Sequence, residues 1–141
     1  MLAFGNEGVA GLVKRTPGAI GYCESGLAER AGLPMAWLQN KAGNYVQPSH
    51  DSGLETLENA VLPENFRAFF PDPDGQGSYP IVTYTWMLLY GRYVDGDKRR
   101  ELIDFVQWCI SDGQKFNEDL GYIRISADTA RRVKAAVAGI K

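Results

Sequence analysis

The chain has 141 residues, of which 45% are hydrophobic and 23% are charged, and its formal net charge is −2. This composition is that of an ordinary globular protein. Lys and Arg are spread along the chain and nearly balanced by acidic residues, so the charge gives no reason to expect nucleic acid or an anionic membrane as a partner. No apolar run approaches the roughly 20 residues that cross a bilayer, and the residues after Met1 predict no secretory signal.

The first half of the chain predicts helices that alternate with short apolar segments. Asn6 is a candidate cap of a first helix that Pro17 ends. The apolar residues 19–23 predict a short buried strand, in which Gly21, with Gly18 just before it, indicates the close approach of another backbone. We then expect a helix over 24–31, a hairpin with arms at 37–38 and 45–46, and a helix over 54–61 capped by Ser49 or Asp51.

The second half begins with the sequence PDPDGQG at residues 71–77, which is typical of a turn or surface loop. Residues 80–90 are rich in β-branched and aromatic side chains and predict a central, buried strand. At Gly113 either one long helix continues or two helices meet, and a last helix begins near Ser126. The strongest helical pattern is formed by Leu102, Phe105, Val106, Cys109 and Ile110.

The alternation of helices with short apolar strands predicts an α/β fold class with a mixed or largely parallel sheet. No internal repeat and no low-complexity segment interrupts this pattern.

Three patterns are weighed as candidate sites. The start of the first helix, residues 4–8, either holds an anion on free backbone donors or is a plain helix start. Asp72 and Asp74 resemble the start of a calcium loop but lack a closing glutamate, which favours a solvated turn over a calcium site or a metal site for phosphoester hydrolysis. Pairs of carboxylates offer acid and base groups or simply surface charge: Glu55 with Glu58, and Glu118 with Asp119.

The cysteines and the single histidine do not indicate a site either. Cys23 and Cys109 have no metal-ligand spacing and are predicted to be small buried hydrophobes. His50 lies in a polar turn, where we expect it to be solvated. The residues by themselves therefore predict no catalytic residue, no metal site and no cofactor.

Residues 5–22 read GNEGVAGLVKRTPGAIGY, and this segment closely resembles one that bacterial phosphate-binding proteins carry just after mid-chain. These proteins are the substrate-binding components of phosphate-specific ABC transporters. Cys23 stands where the family usually has valine, and Phe4 where it usually has glycine or lysine. The likeness continues in the family's order through residues 33–34, 38–43, 62–67, 78–86, 113–115 and 120–122. The chain thus resembles the C-terminal half of this family.

The resemblance implies part of a type II periplasmic-binding-protein-like fold, with mixed sheets flanked by helices in two lobes. It implies that residues 1–78 belong to the second lobe and residues 79–141 to the first. The crossing between the lobes is then near Tyr79 and Pro80, which become the hinge residues. The family's phosphate ligands lie in motifs of its N-terminal half that have no counterpart here, so no phosphate-binding residue is assigned.

The function implied by the resemblance is that of a phosphate-binding component of an ABC-type uptake system, with this chain supplying lobe scaffold and hinge rather than phosphate ligands. The implied location is the periplasm or the cell surface. The implied partners are inorganic phosphate through the complete protein, the transporter permease, and the missing N-terminal half. Strands such as residues 80–90 would expose unpaired edges and apolar faces without that half. Self-association therefore stays open, as does an alternative in which the chain is a truncated, stand-alone structural module without phosphate binding.

Overall fold

The structure is a computed structural model that describes residues 2–141. In this part of the chain, helices outweigh strands, and the fold class is α/β. The elements in chain order are α1 (Gly5–Arg15), α2 (Ser25–Arg30), β1 (Leu38–Gln39), β2 (Tyr45–Val46), α3 (His50–Asn59), β3 (Phe70–Pro71), β4 (Ile81–Val82), α4 (Gly96–Cys109), a 3-10 helix (Asp112–Phe116), α5 (Asn117–Leu120) and α6 (Ala127–Ala138).

The strands form two small antiparallel sheets. In the first, β1 pairs with β2 so that Leu38 lies opposite Val46, which confirms the predicted hairpin. In the second, β3 pairs with β4, and Phe70 lies opposite Val82. The prediction of a mixed or largely parallel sheet is wrong for residues 2–141, because both pairings join consecutive strands of the chain through a loop and are antiparallel.

Local capping signals explain where three of the helices begin, namely α3, α4 and α6. Ser49 caps α3, where its hydroxyl accepts a hydrogen bond from the main-chain N–H of Ser52, and Ser126 caps α6 in the same way through Thr129. Asp95 caps α4. The prediction that Asn6 caps the first helix is wrong, because α1 already begins at Gly5 and takes no side-chain cap.

Two predicted strands are absent or shortened. Residues 19–23 form no strand, and Ile20 is almost fully exposed. Gly21 instead lies against the side chains of Val9 and Val13 on α1, so the close approach involves side chains rather than another backbone. The central strand predicted over residues 80–90 is reduced to β4, since a strand needs a neighbouring strand to satisfy its backbone.

The helical region after residue 95 contains a break at the predicted place. The helix α4 ends at Cys109, and the 3-10 helix that follows contains Gly113. The second of the two alternatives at Gly113 is therefore the one observed. The predicted apolar face of α4 is only partly buried: Val106 is buried, whereas Phe105 is 51% exposed.

The core is small and is divided among several contacts. Within residues 2–141 the buried hydrophobic side chains are those of Ala10, Ala28, Leu57, Leu62, Val106 and Val137. Packed pairs include α1 with α2 and α4 with α6. The turn after α5 lies against α2, where Arg30 Nη1 donates to the carbonyl of Leu120 at 3.2 Å.

None of the helices in the described part of the chain is both long enough and apolar enough to cross a membrane.

Candidate functional site

Tyr79 and Pro80, the predicted hinge residues, lie where the loop after β3 leads into β4. The main-chain N–H of Tyr79 donates to the carbonyl of Ser52 at 3.2 Å, and the carbonyl of Tyr79 accepts from Thr56 Oγ1 at 2.9 Å. Ser52 and Thr56 both belong to α3, so this helix holds the backbone of Tyr79 on both sides. The phenol hydroxyl donates to the carbonyl of Ala36 at 3.2 Å, and burial raises the pKa of Tyr79.

Asn40, which follows β1, holds the loop that precedes Tyr79. Its side chain is only 4% exposed, and its amide oxygen accepts from the main-chain N–H of Asn44 at 3.0 Å. The amide nitrogen Nδ2 lies near three carbonyl oxygens: those of Gly75 at 3.2 Å, Gln76 at 2.9 Å and Ser78 at 3.2 Å. Since an amide nitrogen carries two hydrogens, one of them is shared. All polar groups of this side chain are therefore in use.

Two further hydrogen bonds fix the loop. Glu55 Oε1 accepts from the main-chain N–H of Gly77 at 2.7 Å, and the fully buried Ser78 donates from Oγ to the carbonyl of Asp74 at 2.9 Å. Glu55 is half-buried and serves as a fixed acceptor, so the alternative that it is simply surface charge is wrong. Glu58, by contrast, is exposed.

Lys41 lies against the two aspartates that were weighed as a cation site. Its main-chain N–H donates to Asp72 Oδ1 at 2.8 Å, and its Nζ pairs with Asp74 Oδ1 at 2.7 Å. The hydrogen bond that Lys41 donates to Asp74, together with the negative charge of Asp74, raises the pKa of Lys41. These carboxylates tie the loop to the β1–β2 hairpin. Across residues 2–141 no three His, Cys, Asp or Glu side chains converge as a metal site.

The remaining charged candidates lie apart from this network. Glu118 pairs with Arg124 at 3.6 Å, and both side chains are largely exposed. At the start of α1 the first turn contains Glu7, whose negative charge opposes an anion. These positions provide neither a paired acid and base nor an anion site.

His50 and the cysteines differ from their predicted surroundings. His50 is the first residue of α3 rather than part of a turn, and its Nε2 is buried without a hydrogen-bond partner beside a cleft of about 220 Å³. No sequence motif predicts this cleft, because residues of α2, of α3 and of the region around the end of α5 line it together. Cys23 and Cys109 are free and only partly buried, and burial raises the pKa of the Cys109 thiol.

Apolar side chains cover much of the surface beyond β4. In residues 83–89 no main-chain group takes part in a backbone–backbone hydrogen bond with any part of the described chain, and Leu88 is 93% exposed. On α4 the rings of Phe105 and Trp108 stack with centroids 6.3 Å apart, and both are about half exposed. Residues 83–89 therefore form no strand in the described chain; their backbone is unpaired, and the side chain of Leu88 lies at the surface.

The total surface area agrees with an incomplete core. The accessible surface is 10016 Å², whereas a folded monomer of this mass, 15.6 kDa, exposes about 7,200 Å². The excess of roughly 2,800 Å² exceeds the total area that a standard protein–protein interface buries, about 1,600 Å².

Comparison with known proteins gives one consistent result. No family model matches the chain. The phosphate-binding protein PstS of Xylella fastidiosa strain Temecula1 is 32% identical over 133 residues, which are 93% of this chain and 36% of that protein. PstS of Haemophilus influenzae is 33% identical over 93% of this chain and 40% of its own length. PstS of Methanocaldococcus jannaschii is 33% identical over 97% of this chain and 39% of its own length.

The chain therefore spans about two fifths of the length of the curated relatives it matches. The resemblance to phosphate-binding proteins seen in the motifs is confirmed, since nearly the whole chain is similar to a part of PstS.

Proposed function

We propose that this chain is one part of the phosphate-binding component of an ABC-type phosphate uptake system. It supplies lobe scaffold and hinge rather than the residues that hold phosphate. The observation that carries this proposal is that 93% or more of the chain aligns with phosphate-binding proteins, although it spans only 36% to 40% of their length.

In this proposal the chain contributes to both lobes of a type II periplasmic-binding-protein-like fold. Residues 1–78 belong to the second lobe, residues 79–141 belong to the first, and the chain crosses between them at Tyr79 and Pro80. The backbone of Tyr79 is hydrogen-bonded to α3, whereas the backbone of residues 83–89 is unpaired. This change in backbone hydrogen bonding supports a crossing between lobes near Tyr79.

The rest of the protein, which corresponds to the part of the relatives outside the aligned region, completes both lobes. Its strands pair with the free backbone of residues 83–89, and its apolar side chains cover the exposed surface around Leu88 and Trp108. The excess of exposed surface supports this arrangement, because burying apolar surface in the contact would stabilise the complex through the hydrophobic effect. The complete protein works in the periplasm or at the cell surface and presents bound phosphate to the transporter permease.

The mechanism of the completed protein is closure of two lobes around phosphate. The ligand stabilises the closed state because it contacts both lobes only there. This chain contributes scaffold and hinge to that cycle, and the rest of the protein contributes the phosphate ligands. No enzymatic step is part of the proposal.

The exposed segment also favours a second candidate function. A stand-alone chain buries the same apolar surface by pairing with another copy of itself, as a structural module without phosphate binding. Residues 83–89 provide the edge for such pairing.

Isothermal titration distinguishes these functions. Phosphate, with sulfate as the control anion, is titrated into the purified chain and into the chain mixed with the part of Haemophilus influenzae PstS that lies outside the aligned region. We expect saturable, phosphate-selective binding for the mixture and none for the folded chain alone. Binding by the chain alone would contradict the absence of ligands, and a stable dimer that neither accepts the added part nor binds phosphate would support the second candidate.

A further inference from the structure

We propose that the loop before α4 and the first turns of that helix form a surface that docks on an anionic lipid membrane. This docking surface consists of residues 90–100 and Lys141. The inference rests on the proposed function in one respect, because a protein of the periplasm or the cell surface works next to a membrane. It goes beyond that function, since it assigns the chain a second ligand and the face that meets it.

Cationic side chains are concentrated on the docking surface. Residues 90–100 contain four cationic and two acidic side chains. The fold adds Lys141, whose main-chain N–H donates to the carbonyl of Gly91 at 3.1 Å and whose carbonyl accepts from the N–H of Tyr93 at 2.7 Å. The net charge of the surface is +3, although the whole chain carries −2. The remaining residues are therefore negative, and this separation of charge orients the docking surface toward an anionic membrane.

Apolar side chains project from the same loop. Val94 is fully exposed, and Tyr90 is 77% exposed. Arg92 and Lys98 are exposed in the same stretch of the chain. Cations that bind lipid phosphates, together with aliphatic and aromatic side chains that enter the boundary with the acyl chains, are typical of segments that lie on a membrane.

Hydrogen bonds hold the loop in one shape. Besides the two bonds to Lys141, the hydroxyl of Tyr93 accepts from the main-chain N–H of Tyr90 at 3.1 Å. The rings of these two tyrosines meet edge to face, with centroids 5.9 Å apart. Asp95 then caps α4. Because the loop is already ordered, it presents Val94 without a large loss of conformational entropy on binding.

The cations at the start of α4 oppose the stability of the helix. The first turn of a helix carries partial positive charge, which favours acidic side chains over basic ones. Lys98, Arg99 and Arg100 nevertheless follow one another there, and the single acidic residue of the first turn, Asp97, pairs with Arg100. A local arrangement that lowers stability is expected where a surface serves a function.

The docking surface stays accessible in the completed protein. The backbone of residues 83–89 is unpaired, whereas Gly91 and Tyr93 already have backbone partners at Lys141. Covering Arg92 or Lys98 with another part of the protein would bury a charge, which is costly without a partner. We therefore expect the rest of the protein to cover residues 83–89 and to leave the docking surface in solvent.

Co-sedimentation of the full chain with lipid vesicles tests the proposal. The vesicles consist of phosphatidylcholine alone or of an equimolar mixture of phosphatidylcholine and phosphatidylglycerol. We expect binding to the mixed vesicles to be at least about tenfold stronger, and to weaken as salt is added. Equal binding to both kinds of vesicle would overturn the proposal. Binding of polyglutamate without binding of either vesicle would also overturn it, because the occupant would then be an acidic protein.

Two double variants locate the binding face. Arg92→Glu combined with Lys98→Glu reverses two charges of the docking surface, and we expect binding to the mixed vesicles to fall at least about tenfold. Arg15→Glu combined with Arg67→Glu is the matched control, because both arginines are exposed and lie outside the surface. The change in net charge is the same in both double variants. Equal losses of binding would show that net charge alone governs it and would contradict the assignment.

An NMR measurement on the unaltered chain needs no variant. Bicelles of the same two lipids, with a paramagnetic label on a headgroup, broaden the amide signals nearest the membrane. We expect residues 91–98 to broaden more than the residues of α3. Broadening centred on residues 83–89 would overturn the proposal, because the apolar segment would then be the part that meets the lipid.

Failure of the proposed function appears differently, as a lack of phosphate binding in the completed protein. The vesicle and bicelle experiments use no inorganic phosphate and no other part of the protein, so the two failures are distinguishable.

Discussion

Gly26 and Gly121 lie back to back, and neither position has room for a side chain. A Cβ added to Gly26 would lie 2.7 Å from the Cα of Gly121, and a Cβ added to Gly121 would lie 2.5 Å from the Cα of Gly26. Gly121 also has a φ of +79°, in the left-handed region that side chains rarely adopt. This contact fastens the turn after α5 to α2. Gly26 belongs to residues 1–78 and Gly121 to residues 79–141, so the contact joins the two parts of the chain that are assigned to different lobes.

Substitution Gly26→Ala is expected to lower the free energy of unfolding by about 1–3 kcal/mol, because the new methyl group meets backbone rather than a flexible side chain. Urea denaturation followed by circular dichroism measures this change. Gly91→Ala is the matched control, since no atom lies within 4 Å of its added Cβ. Equal stability of the two variants would show that the backbones separate at little cost.

Asn40→Asp is expected to destabilise the chain by about 3 kcal/mol or more. The substitution replaces a donor with a carboxylate that faces the carbonyls of Gly75, Gln76 and Ser78 in a buried position. Asn44→Asp is the control, because Asn44 reaches the same loop at Gln76 but is exposed, and we expect a loss below about 1 kcal/mol. Chemical denaturation of both variants gives the difference, and similar losses would argue against the buried network.

Leu88→Lys is expected to weaken association of the chain at least about tenfold, because a partner that covers this position must bury an unpaired charge. The free energy of unfolding of the monomer should change by less than about 0.5 kcal/mol, since Leu88 is almost fully exposed. Light scattering over a range of concentrations measures self-association. The same variant is then titrated with the part of Haemophilus influenzae PstS that lies outside the aligned region. Val94→Lys, at another fully exposed position, is the control. Unchanged association in Leu88→Lys would exclude this segment from the interface.

Asp95→Asn is expected to reduce the loss of stability in acid. At the start of α4 the carboxylate of Asp95 accepts hydrogen bonds from the main-chain N–H groups of Lys98 and Asp97. These bonds hold the pKa of Asp95 below the ordinary 3.8. Because the pKa is lower in the folded chain, the carboxylate stabilises the fold above the unfolded value, and this contribution is lost as the pH falls through the folded value. Asparagine also caps helices but does not titrate in this range.

Denaturation at a series of pH values checks this prediction. The difference in stability between the wild type and Asp95→Asn should shrink as the pH falls below about 4. Ser126→Asn changes a cap at α6 that does not titrate and should leave the pH dependence as in the wild type. A constant difference between the wild type and Asp95→Asn across the acid range would contradict the prediction.

The helices and turns could be predicted because their signals are local. The cap at Ser49, the cap at Ser126, the hairpin around residues 40–44 and the break at Gly113 all depend on residues within a few positions of one another. The strand over residues 80–90 could not be predicted in the same way. Its side chains favour a buried strand, but a strand forms only where another backbone is available to pair with it.

The candidate site shows the same division. The sequence pointed to Tyr79 and Pro80 through a family resemblance, and it gave no indication of Asn40 or Thr56 as their supports. Asn40 is an ordinary loop residue by composition, and Thr56 is an ordinary helical one. Each acquires its role only because folding brings it to carbonyl groups of residues 75–79.

The sequence by itself determined most of the helices, the β1–β2 hairpin, the loop that follows β3 and the likeness to phosphate-binding proteins, because local spacing and motif order carry that information. Only the tertiary structure decided that both sheets are small and antiparallel, that Gly26 meets Gly121, and that Tyr79 is anchored while residues 83–89 are not. The physical reason is that burial, backbone pairing and shared hydrogen bonds depend on groups far apart in the chain.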